Sequence, residues 1–262
     1  MKLFPVVMAA ALVLGGCVEM PIKMGSKSAK STATGSAGGA NAEGENSALE
    51  HCKRPLGTMA LLEDHHASWY STMSQHGIKS TTPVLRLLAQ QSNCFVVVER
   101  GAGFREMTRE RELMKSGELR SYSNFKKHQM VAADYTLTPS LIFNSNNTGG
   151  LGALGWVGAL VGLATKFKDA EALLTLVENR SGVQLAAAEG SARASDLSGI
   201  LGIFGGGGGG VLGGYTRTPE GKVIVGAMTD AFNNLVKAVR NYKAQESSGP
   251  KGHGSGGRLE VK

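Results

Sequence analysis

Cysteine is scarce in this chain, with three residues among 262, and aromatic residues make up only 6% of it. The basic side chains are not bunched into a run, and aromatics are not interleaved with them. These shortages exclude a disulfide-dense miniature scaffold. They also argue against nucleic acid as a partner, since such surfaces stack bases on aromatics between cations. No G-x-S-x-G elbow occurs, and neither Cys52 nor Cys94 stands beside a polar helix start that would activate a thiol. Gly214 to Lys222 lacks the spacing of a phosphate loop, and Val223 occupies the place of the magnesium-binding Ser or Thr. Glu63-Asp64-His65-His66 is the one metal-like cluster, and no second ligand pair has suitable spacing. It reads as a solvated loop. The expectation is therefore no catalytic residue, no metal and no cofactor.

What is present begins at the N-terminus. Lys2 supplies a positive start, Leu3 to Val13 is a short apolar run, and Leu14-Gly15-Gly16-Cys17 follows. The run is too short to span a bilayer permanently and reads as a secretory signal. Leu at −3 and small residues at −2 and −1 suit a lipoprotein peptidase, and the Cys17 thiol is the group that takes a diacylglyceryl thioether. Residues 1–16 are thus expected to be removed and Cys17 lipidated. Buried acyl chains contribute roughly 0.8 kcal/mol per CH₂, so two or three make a lasting anchor. Val18 rather than Asp follows the cysteine, which points to the outer membrane, with the body facing the periplasm. The formal charge of +7 falls by one with Lys2, and the remaining surplus suits acidic polymers or headgroups.

Cys52 and Cys94 then remain. In an oxidising compartment an isolated pair invites a disulfide, and two separate buried thiols are the alternative. Closing that loop corresponds to roughly 4 kcal/mol of chain entropy.

Residues 17–50 are rich in Ser, Gly, Ala, Lys and Asn without apolar period, as a linker is. Residues 244–262 are again Gly/Ser-rich and predict a disordered tail. Between them, over 51–243, strand and helix signals alternate. Leu56 to Leu62 and Cys94 to Val98 read as buried strands. Thr82 as cap and Pro83 at the first position open a helix carrying Val84, Leu85, Leu87 and Leu88. Gly103 to Lys115 predicts a charged helix with Phe104, Met107 and Leu113, and a helix or loop follows around Tyr122 to Met130. Asp134 to Phe143 is a third strand, in which Pro139 forces an edge or a bulge. Ala170 to Glu178 and Val183 to Glu189 form a hairpin across Asn179-Arg180-Ser181-Gly182. Thr218-Pro219 starts a long helix whose apolar stripe runs from Val223 to Val239. The fold class is α/β, a mixed sheet flanked by helices with a hairpin and a long C-terminal helix. Alternating charges at Glu99, Arg100, Arg105, Glu106, Arg109 and Glu110 read as surface ion pairs with subunit contact as the alternative. Trp69 and Tyr70 read as partly buried in the core, with the lining of a ligand groove as the alternative.

Two uncharged segments flank the hairpin. Tyr135 to Thr165 includes GGLGALGWVGALVGLA, and Leu197 to Thr216 includes six consecutive glycines, Gly205 to Gly210.

Several motifs together resemble the CsgG family, the curli production assembly/transport lipoproteins and their holdfast-anchoring relatives, over about Pro55 to Tyr242. They are Phe95-Val-Val-Val-Glu99-Arg100, Arg109-Glu-Arg-Glu-Leu113, Ala133-Asp134-Tyr135, the hairpin Leu173 to Ala188, Gly213-Gly-Tyr215 and Thr218-Pro-Glu-Gly221. The resemblance implies a periplasmic α/β domain that assembles into rings. It also implies that two hairpins per subunit build an outer-membrane barrel for secreted fibre subunits, at the places of the loops 144–166 and 195–217.

The residues there depart from a barrel strand, which alternates lipid-facing apolar and lumen-facing polar side chains over about ten residues. Neither face of residues 150–164 carries a polar side chain. Gly158 and Gly162 suit a closely packed apolar helix instead, and a run of six glycines is costly to order as a strand. Three readings stay open: pore hairpins, loops that touch membrane or subunit through Leu154, Trp156, Leu160, Leu201 and Phe204, or ordinary loops. The function implied is an outer-membrane-anchored homo-oligomer for secretion, assembly or anchoring of a surface fibre or polymer. Its expected partners are the membrane, further copies, and a fibre subunit or cell-wall partner. The rival is a non-channel envelope scaffold or peptidoglycan-binding lipoprotein.

Overall fold

The structure, a computed structural model, describes residues 35–36, 48–144, 169–193, 215, 218–242, 246–248 and 256–258. In chain order the elements are β1 (Gly57–Leu61), α1 (Ser68–Gln75), α2 (Thr82–Ser92), β2 (Phe95–Val97), α3 (Ala102–Ser116) and a 3-10 turn (Ser121–Ser123). Then come β3 (Tyr135–Asn144), β4 (Asp169–Glu178), β5 (Gln184–Arg193), α4 (Pro219–Arg240), β6 (Glu246–Ser248) and β7 (Gly256–Arg258). One mixed sheet runs β2-β1-β3-β4-β5, with β1 parallel to β2 and β3, and with β3, β4 and β5 antiparallel. This is the α/β class expected, with the hairpin and the C-terminal helix in place.

Strand period divides the sheet into two unlike faces. Met59, Phe95, Tyr135, Leu137, Leu141, Leu174 and Leu176 are buried on one face and share a core with Leu85 and Leu88 of α2 and with Ile224, Met228, Phe232 and Leu235 of α4. Each such side chain contributes roughly 1.5–3 kcal/mol by leaving water. The opposite face presents Thr136, Thr138, Ser140 and Ile142 on β3 and Glu171, Leu173, Thr175 and Val177 on β4, none of them buried. No described helix seals that face. α3, the helix on the β2-to-β3 crossover, has no buried residue at all.

Local chemistry explains the differences from expectation. α1 was not foreseen because a turn of SWYSTMSQ offers only Trp69 and Met73, one turn apart, as apolar signal; both are buried. α2 begins with Thr81 as its cap residue, not Thr82, and no side chain of its own caps it. Pro139 lies in a continuous register with β4, so it makes no bulge. Leu62 donates to Leu137 O at 2.9 Å, and β1 ends there. Two residues further, the proline nitrogen faces the stretch beyond β1, where no partner strand needs a donor.

β5 runs to Arg193, past the predicted Glu189, because its inner face continues in small residues. Gly190 lies against α4 so closely that a Cβ would stand 2.0 Å from Ala231 N and 2.5 Å from Ala227 O. α4 also closes part of the open strand edge. Ser191 N–H donates to Asp230 Oδ2 at 3.1 Å, and Asn234 Nδ2 donates to Glu189 O at 2.9 Å. In the tail predicted to lack structure, β6 and β7 pair antiparallel, which composition does not signal.

Cys52 and Cys94 are joined by a disulfide. Residues assigned by composition to the linker belong to the body. Leu49 is buried, Asn233 holds Ala48 O and Glu50 N–H at 2.7 and 2.8 Å, and Arg240 meets the Glu50 carboxylate at 2.7 Å.

Candidate functional site

Two places in the fold concentrate features that sequence alone did not assemble. The first is a cavity of about 850 Å³ at the carboxyl ends of β1 and β2, where open parallel sheets hold their ligands. Its walls are Leu61, Leu62, Pro83, Leu87, Val97 and Val98, with Glu63, Arg86, Glu99 and Arg100 as polar groups. The N-termini of α2 and α3 both open onto it. A helix start attracts anions, but here the chain's own carboxylates occupy both. Glu63 accepts from the Thr81 backbone N–H, from Thr81 Oγ1 at 2.6 Å and from Ser80 Oγ at 2.8 Å. Glu99 accepts from Gly101 N–H at 2.7 Å and pairs with Arg86 at 2.8 Å. A phosphate entering here would find both helix starts already taken by carboxylates.

His65 Nε2 lies 3.3 Å from Glu63, whereas Asp64 accepts the His66 N–H at 2.9 Å within its own turn. Among the described residues no three His, Cys, Asp or Glu side chains converge as a metal would need. Trp69 and Tyr70 are stacked edge to face on α1 and line no part of this cavity.

The second place is the far end of the antiparallel strands. Asn144 pairs with Asp169, and Asp169 pairs with Arg193; the register is continuous between β3 and β4 and shifts once between β4 and β5, at Leu176/Val177. Asp169 and Arg193 also form a salt bridge of 3.7 Å. Both connections that carry the uncharged segments leave from this single end: residues 145–168 join β3 to β4, and residues 194–214 follow β5. Tyr215, where the second segment rejoins the body, is buried, and its hydroxyl donates to Ser80 O. Burial pushes its phenol up to about 12, with the nearby Glu63 charge adding to the shift. The Tyr215 backbone in turn fills the space beside Gly221, so the first turn of α4 and the start of α2 are locked together.

The opposite end of the molecule carries the N-terminal attachment. Glu50 is drawn below the ordinary carboxylate range by its hydrogen bond from Arg240, with Lys237 assisting. At the same end the residues leading into β3 are stapled both to β1 and to the hairpin turn. Asp134 accepts from Thr58 N–H at 3.0 Å and from Thr58 Oγ1 at 2.9 Å, which holds its carboxyl low. Asn179 Nδ2 donates to Ala133 O at 2.8 Å, and Gly182 takes the positive φ of 70° that closes the turn.

Cys17, Leu154, Trp156, Leu160, Leu201 and Phe204 lie outside the described residues, as do most of the linker and most of both uncharged segments. Glu63 and Tyr215 stood in the acidic-histidine cluster and in Gly213-Gly-Tyr215, but their contacts, like the Glu50–Arg240 pair, were not legible because the partners are distant in sequence. No described helix is long and apolar enough to cross a membrane.

A comparison with protein families matches residues 39–254 to the curli production assembly/transport component CsgG. A search of curated proteins returns no match.

Proposed function

This chain belongs to the CsgG family, and from that premise we propose that it is an outer-membrane-anchored, periplasm-facing lipoprotein. It works as an oligomeric, non-catalytic component for secretion, assembly or anchoring of a surface fibre or polymer. The observation that carries the reading is the shared exit of both uncharged segments. Asn144, Asp169 and Arg193 stand side by side at one end of the sheet, so that end can present two apolar excursions to one bilayer or one opening.

In this reading residues 1–16 are a signal, Cys17 bears the lipid, and residues 17–50 up to Ala48 form the tether. The body holds on to the chain at Ala48 to Cys52, at the other end of the sheet. A ten-residue strand spans roughly 33 Å, and the thirty residues between Cys17 and Ala48 have a contour length of roughly 100 Å. That length lets the anchored cysteine and the two segments reach the same membrane. Leu154, Trp156, Leu160, Leu201 and Phe204 are then the groups that touch bilayer or neighbouring subunit.

The test is to extract the full-length protein in detergent, view it by negative stain and record conductance in planar bilayers. Rings that conduct support the reading. A non-conducting monomer that sediments with cell-wall sacculi overturns it in favour of the envelope scaffold. Labelled palmitate entering the wild type but not Cys17→Ala tests the anchor separately.

A further inference from the structure

Residues 101–131 form an excursion in which nothing is buried. α3 lays Arg111 and Met114 against its own following loop, with the Arg111 guanidinium 5.3 Å from the Phe125 ring centroid and Met114 Sδ accepting from Phe125 N–H at 3.1 Å, while Phe104 lies under the Arg100 guanidinium. Leu113, Tyr122, Phe125, Met130 and Val131 remain exposed, five of the seven large apolar side chains that are exposed among the described residues. Exposed apolar side chains gathered in one segment mark an interaction surface.

The same chain carries a second incomplete surface. Antiparallel strands can leave one face open, and among the described residues the face bearing Thr138, Ile142, Leu173 and Thr175 has no buried residue. The two surfaces are opposite in charge. Residues 101–131 hold seven Arg and Lys against four Glu, with Arg120, Lys126 and Lys127 in the loop. The uncovered face holds Asp169, Glu171 and Glu189 against Arg193.

We propose that residues 101–131 of one copy dock on the uncovered sheet face of a second copy, head to tail. This rests on the oligomeric reading above and names the contact that builds it. Each copy offers one excursion and one face, so the contact is heterologous and propagates until it closes into a ring. Phe125 and Tyr122 supply apolar contact with Leu173 and Ile142, while Lys126 and Lys127 face Glu171 and Glu189.

Full-length protein in detergent, measured by sedimentation velocity, tests it. Lys126→Glu/Lys127→Glu and Glu171→Lys/Glu189→Lys each shift the protein from oligomer to monomer. A one-to-one mixture of the two regains the oligomer with the variants alternating, because the reversed loop meets the reversed face and the wild-type loop meets the wild-type face. Carrying all four changes in one chain restores the oligomer, which also shows that each surface variant is folded. A monomeric wild type, variants that sediment as wild type, or a mixture that stays monomeric overturns the proposal. Oligomers that form through this contact yet neither conduct nor secrete leave it standing and remove the export reading.

Discussion

Gly190→Ala is the sharpest probe of how α4 is seated. The added methyl would lie 2.0 Å from Ala231 N, 2.5 Å from Ala227 O and 2.6 Å from Ala231 Cα, all backbone atoms of a helix. Non-bonded heavy atoms settle at about 3.5–4.0 Å, so α4 must withdraw by roughly 1.5 Å along this contact. Overpacking a core costs about 1–3 kcal/mol, and the upper end applies when no side chain can rotate away. Withdrawal also stretches the bonds from Ser191 N–H to Asp230 and from Asn234 to Glu189, each worth about 1 kcal/mol. The expected loss is about 4–5 kcal/mol, a large share of the about 5–15 kcal/mol that holds a domain folded. Urea unfolding followed by circular dichroism reads it as a midpoint lowered by about 2 M at an m-value near 2 kcal/mol per M, with the slope unchanged. Gly182→Ala is the control. Its φ is +70° and nothing lies within 4 Å of an added Cβ, so only the backbone cost of about 1–2 kcal/mol applies. Equal losses in the two variants, or a Gly190→Ala midpoint close to wild type, would refute the close-approach argument.

Replacing both Cys52 and Cys94 by Ser releases a loop of 42 residues and should cost about 4 kcal/mol. Thermal unfolding with and without reductant checks this, and a Tm that ignores both changes counts against it. Glu63→Ala leaves the Thr81 N–H and two hydroxyls without their acceptor, a loss of about 2–3 kcal/mol. Hydrogen exchange should quicken in the first turn of α2, with Glu63→Gln recovering part; an unaltered rate contradicts the cap. Asp134 titrates lower when folded than its unfolded value of about 3.9, because Thr58 N–H binds its carboxylate. Its stabilisation is therefore complete above the unfolded value and vanishes as pH falls through the folded one. Tm measured against pH should fall less steeply below about pH 4 in Asp134→Asn than in wild type, and parallel profiles would exclude the linkage.

The elements legible in the sequence are those whose signal is local. Thr218-Pro219 starts α4 where expected, with Thr218 Oγ1 accepting from Gly221 N–H at 3.0 Å, because a cap needs only its own first turn. The Asn179 to Gly182 turn was likewise readable, since Gly182 supplies a positive φ. Alternation announced β4, but β5 beyond Glu189 was hidden, because Gly190 and Ala192 are chosen for closeness rather than hydrophobicity. α1 was hidden for a related reason: Trp69 and Met73 alone do not make a period. At the candidate site, Glu63 was visible only as part of an acidic-histidine cluster. Its work as the cap of α2 depends on Ser80 and Thr81, which the fold brings to it. The Asn144, Asp169 and Arg193 alignment needed the sheet register, which spacing does not give.

The disulfide has a mechanical consequence. A force arriving at Ala48 passes Glu50, held by Arg240, and reaches Cys52, whose sulfur is bonded to Cys94. Tension then crosses directly to the start of β2. The intervening residues 53–93, with β1, α1 and α2, are bypassed as a slack loop is bypassed by a knot in a rope. Whatever tugs on the leading end of the chain strains the seam between β2 and α4 first, and leaves β1 unloaded.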